Sequence, residues 1–147
     1  MKRLLRVLLL LVAGSLIAAE DKDAAKKELA KFQGTWIFES MVSDGEKVPP
    51  DSFKGSTLTI KDGIFTVKEG DTIYKGTFKV DPTKKPKEID VIFTEGPDKG
   101  ETMMGIYEID GDTYRPCFAI GGKDRPKELA SKKGSGIILQ VLKKQKK

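Results

Sequence analysis

The sequence predicts an all-β fold, an antiparallel up-and-down barrel of eight strands with a short N-terminal helix. Three observations predict it. Eight short runs alternate apolar and polar residues with period two. Turn-forming pairs such as Asp44-Gly45, Asp62-Gly63 and Gly70-Asp71 separate them. None of the connections holds a helix-length amphipathic stretch, which argues against parallel strands joined by crossover helices. Such alternation leaves one face needing cover. Closing the sheet on itself covers that face and removes the exposed edges.

Taken in order, residues 1–19 read as a secretory signal peptide. Lys2, Arg3 and Arg6 are followed by the apolar run Val7–Val12, and Ala18-Ala19 offers a cleavage site before Glu20-Asp21. The apolar part is shorter than the roughly 20 residues of a membrane span. Ser15 stands where a lipidated Cys would be required, so no lipid anchor is expected. Asp23 is a candidate N-cap, and Ala25, Leu29 and Phe32 share one face of the helix behind it. A helix this short needs docking to persist, and a barrel end offers the place.

The predicted strands are 35–42, 56–60, 64–68, 72–80, 88–94, 102–109, 113–120 and 137–143. Their inward residues include Trp36, Phe38, Ser40 and Val42 on the first, and Phe65 and Val67 on the third. Tyr74, Gly76, Phe78 and Val80 follow on the fourth, then Ile89, Val91 and Phe93 on the fifth. If Asp110-Gly111 is a two-residue turn, Tyr107 faces Tyr114 and Met103 faces Phe118. Ile106 and Arg115 then share the other side, and a three-residue loop would reverse the two faces. Residues 121–136 form a long Lys/Gly/Pro connection. Phe53 is the one large apolar anchor in the 44–55 loop.

The 147 residues predict one domain, spanning 20–143 after the signal, with 144–147 a basic disordered tail. The whole chain has 27 basic and 22 acidic residues, but the signal segment holds three of the basic ones. The mature body is therefore near neutral, and a nucleic-acid partner is not expected. Cys117, the single cysteine, leaves no internal disulfide and reads as a buried, inert thiol.

The absence of His removes Ser–His and Cys–His nucleophile pairs and imidazole metal sites. Asp62, Asp71, Asp98, Asp110 and Asp112 lie next to or within two residues of glycines and read as turn residues. No phosphate loop or calcium loop is present. No catalytic residue, metal or cofactor is expected, and the chain reads as non-enzymatic.

The motifs Gln33-Gly34-Thr35-Trp36, residues 76–84, Lys87-Glu88-Ile89-Asp90, residues 93–97, residues 105–113, Arg125-Pro126 and residues 130–136 cover nearly all of the mature chain. Together they resemble an uncharacterised lipocalin-like domain family abundant in secreted proteins of planctomycetes. The resemblance implies a lipocalin-like barrel and export to the periplasm or the extracellular space. It implies no activity. Pro116 departs from the hydrophobic residue expected at its place and suggests an edge or bulge.

The candidate site is the inner aromatic set Trp36, Phe38, Phe65, Tyr74, Phe78, Phe93, Tyr107 and Tyr114, with Arg115 as a carboxylate-holding group if it faces inward. Two readings follow. One is a monomeric barrel binding a small apolar ligand. The other is a structural or protein-interaction module with a filled core, whose outward Ile37, Met41, Ile73 and Ile92 would form a contact patch. The bulky inward residues predict a small cavity or none.

Overall fold

A computed structural model describes residues 22–146. The expected signal segment, 1–19, lies outside these residues, as does the end of the basic tail. Helix α1 covers residues 22–32. Nine strands follow: β1 (Gly34–Ser43), β2 (Glu46–Lys47), β3 (Thr57–Lys61), β4 (Ile64–Glu69), β5 (Thr72–Asp81), β6 (Lys87–Glu95), β7 (Thr102–Asp110), β8 (Thr113–Ala119) and β9 (Ile137–Lys144). Each strand from β3 onward pairs with its successor in antiparallel fashion. β1 closes the ring by pairing with both β3 and β9. The result is the predicted eight-stranded barrel, with β2 as a two-residue addition beside β1.

Period-two spacing places Phe65, Phe78, Ile89, Val91, Phe93 and Phe118 in the interior. Several local expectations are corrected. Asp23 lies inside α1 and does not cap it. The β1–β9 register shifts between Phe38 and Ser40, leaving Glu39 as an extra residue. A bulge of this kind reverses the alternation beyond it. Met41 therefore pairs with Gln140, an inward residue, and does not face solvent as the unbroken pattern predicted.

The β7–β8 turn centres on Gly111-Asp112, since Asp110 pairs with Thr113. Tyr107 thus faces Pro116, and Tyr114 faces Ile109. This register differs by two residues from the predicted one, and a slip of two preserves the faces. Pro116 is not at an edge. It sits in an interior strand, where the β8–β9 ladder is interrupted at Arg115 and Pro116 and resumes in the same register at Cys117.

Lys144, assigned by sequence to a disordered tail, ends β9. Its ammonium lies 4.9 Å from the centre of the Trp36 ring and donates to the Lys31 carbonyl at 3.2 Å. The connection 120–136 becomes a strap over the outside of β6–β8. Under it lie Ile106 and Cys117, both outward-facing yet fully buried. The Cys117 thiol contacts the Glu128 and Ala130 carbonyls, and burial pushes its pKa up. Arg125 anchors the strap. It donates to the Ile89 and Gly105 carbonyls at 3.1 and 2.8 Å and to Asp90 at 2.7 Å.

Candidate functional site

α1 closes one end of the barrel. Phe32, its last residue, is fully buried with its ring 5.4, 5.2 and 5.1 Å from those of Phe78, Tyr107 and Tyr114. Trp36 adds a ring 5.7 Å from Tyr114, and its indole N–H donates to the Phe32 carbonyl at 2.8 Å. Gly34, at φ 122°, lets the chain leave the helix and enter β1 within two residues. These rings form a solid floor.

One charged residue takes part in that floor. Glu28 is 4% exposed and lies one helical turn before Phe32. It accepts from Lys87 at 2.9 Å, Lys31 at 3.0 Å and the Tyr107 hydroxyl at 3.1 Å. Burial alone would raise its pKa. The bonds from Lys87, Lys31 and Tyr107 outweigh burial and hold it below its ordinary value. The Tyr107 phenol is pushed strongly upward, first by burial and then by the Glu28 charge, so it stays a donor.

A group whose folded pKa is depressed stabilises the fold above its unfolded pKa. That contribution fades as pH falls through the lower folded value. Glu28→Gln should therefore cost about 2 kcal/mol at pH 7. The gap between variant and wild type should narrow below about pH 4.5, the ordinary glutamate value. Urea titrations across this range measure it, and a gap independent of pH would contradict the charged form of Glu28.

Beyond the floor the barrel is hollow. A cavity of about 400 Å³ opens at the end away from α1. The sequence predicted a small space or none, and two features enlarge it. Phe32, Trp36 and Tyr107 are packed into the floor at the helix end, and aliphatic residues such as Val67, Val91 and Met103 share the walls beyond it with the remaining rings. Gly76 and Gly105 also occupy inward positions. Phe65 and Phe118 lie against the wall over them, since a Cβ at either glycine would sit 2.7 or 2.5 Å from the ring concerned. Rings held against the wall leave the lumen open.

Of the nine candidate residues, Phe38, Phe65, Tyr74, Phe78, Phe93 and Tyr114 line this cavity. Trp36 and Tyr107 are packed into the floor beneath it. Arg115 is excluded because it points outward, half exposed and 3.9 Å from Glu108. The preserved strand faces put it there, so among the described residues no carboxylate-holding Arg lines the cavity.

Sequence reasoning missed the rim, made of Glu69, Asp98, Glu101 and Gln140. Glu69 was legible, because it continues the inward positions 65 and 67 of β4. Asp98 and Glu101 lie in the β6–β7 connection, whose course no alternation reveals. Among the described residues, no group of three or more His, Cys, Asp or Glu is placed to hold a metal ion.

No family model matches the chain, and no curated protein does. It is similar to a solved structure, a DUF4847 family protein from Bacteroides vulgatus. The identity is 15%, the match covers 78% of this chain and 96% of that one, and the TM-score is 0.47.

Proposed function

We propose that this protein is an exported, non-catalytic lipocalin-like barrel that binds a small, largely apolar molecule in its lumen. The observation that carries this reading is the open cavity of about 400 Å³ with its aromatic walls. That volume falls within the roughly 300–1,000 Å³ typical of small-molecule sites. The resemblance of the sequence to secreted lipocalin-like domains supports the export part.

The outer surface offers less to the alternative, a protein-interaction module. Its exposed apolar residues are dispersed. Ile37 lies on β1, Ile64 and Ile92 are separated by Thr77, and Ile92 lies diagonally from Met104 beside Asp90. Dispersed exposure of this kind is ordinary for a soluble surface.

A neutral naphthylamine dye that brightens in apolar surroundings tests the reading. We expect saturable binding to wild type with one site per chain. Val91→Trp, which fills the lumen, should weaken it at least about ten-fold, whereas Arg115→Ala should leave it unchanged. Native mass spectrometry of protein purified from its own host should show a co-purified small molecule. Absence of dye binding to folded wild type would overturn the proposal.

A further inference from the structure

We propose that the cavity selects cationic amphiphiles, molecules with an apolar body and an ammonium-type head, and discriminates against fatty carboxylates. This rests on the binding reading above and specifies its ligand class.

The lumen is apolar, so occupants must be largely apolar, and the rim decides among them. Three of its side chains are carboxylates, contributed by two separate hairpins. Glu69 comes from the end of β4, and Asp98 and Glu101 from the connection between β6 and β7. No Lys or Arg is among the described residues lining the cavity. The nearby Lys68 and Lys75 fall at the alternate, outward positions of β4 and β5.

None of the three rim carboxylates forms an ion pair within 4.0 Å among the described residues, whereas Glu28, Glu88, Asp90, Glu108 and Glu128 all do. The mouth thus carries three carboxylates that are not ion-paired within 4.0 Å to Lys68 or Lys99, their neighbours in the sequence. The field reaches the lining. The Tyr74 phenol is raised first by burial and then by Glu69 and Asp98.

Aromatic groups complete the arrangement. Tyr74 stacks edge-on to Phe93 at 6.3 Å, and Phe93 packs edge-on against Phe65 at 5.4 Å. π-faces beside carboxylates suit a weakly hydrated organic cation. A bare metal ion fits less well, because the three acids are not gathered into a metal-holding group. Gln140 can accept or donate and does not favour either charge.

Octyltrimethylammonium, octanol and octanoate share one chain and differ at the head. We measure their displacement of the neutral dye from full-length mature protein at low salt, below their micelle-forming concentrations. The cation should bind about ten-fold tighter than the alcohol, and the carboxylate about ten-fold weaker. Both differences should shrink at high salt. The triple variant Glu69→Gln, Asp98→Asn, Glu101→Gln should bind the three alike while keeping its affinity for octanol, which also shows that it is folded. Equal binding of all three probes by wild type overturns the selectivity and leaves the cavity reading intact. Failure of all three to displace the dye, with no binding of their own, overturns both.

Discussion

Replacing Phe32 by Ala should cost about 4 kcal/mol of folding stability, as for other large buried aromatic residues. Three facts set the size of the effect. The side chain is completely buried. It touches three rings at 5.1–5.4 Å, each contact worth about 0.5–1.5 kcal/mol beyond the area it hides. It is also the residue through which α1 docks, and a helix of this length has little stability by itself. Losing the ring therefore loosens the helix and exposes the floor together. Leu29→Ala, at a partly buried position on the same helix, should cost less than half as much. Equilibrium urea unfolding followed by the fluorescence of Trp36 measures both, because its indole hydrogen-bonds the Phe32 carbonyl. A loss below about 1 kcal/mol for Phe32→Ala would mean that α1 is not part of the cooperative unit.

The contrast between strands and cavity shows which properties of this chain are local. Alternation is local, so strands such as β5 and β6 were readable nearly to the residue. Faces survive an error in the position of a two-residue turn, because moving it by one residue shifts the register by two, as at Gly111-Asp112. The Glu39 bulge was not readable, since one extra residue leaves no mark in hydrophobicity yet turns Met41 inward. Glu28 shares the apolar face of α1, but its partners Lys87 and Tyr107 lie 59 and 79 residues away. The strap is also non-local. Ile106 and Cys117 occupy outward positions of β7 and β8; burial of Cys117 was expected from its apolar strand, but the cover that residues 120–136 provide for both was not. Arg115 shows the converse case: its outward direction followed from strand parity alone, and only the length of one turn stood in doubt.

Gly76→Ala joins the wall of the barrel to its contents and should cost about 3 kcal/mol. A Cβ at this position would lie 2.1 Å from the Ile92 carbonyl oxygen and 2.7 Å from two carbons of the Phe65 ring. The carbonyl is backbone in a paired strand, at a point where the β5–β6 register already shifts between Lys75 and Gly76. It cannot retreat without weakening ladder hydrogen bonds. The ring can move, and the direction open to it is the lumen. Stability and ligand affinity should therefore fall together, with dye binding reduced at least about ten-fold in the fraction still folded. Gly70→Asn provides the comparison. That glycine has φ 58°, which Asn tolerates, and a Cβ there meets nothing within 4 Å. Its cost should stay within about 0.5 kcal/mol with dye binding unchanged. If Gly76→Ala were equally mild, the Phe65 ring would not be pinned against the wall, and the open lumen would need another cause. A combined Gly76→Ala, Phe65→Ala variant separates the two clashes. Recovery of dye binding without recovery of stability is the expected pattern, because removing the ring clears the lumen but leaves the Ile92 carbonyl where it was.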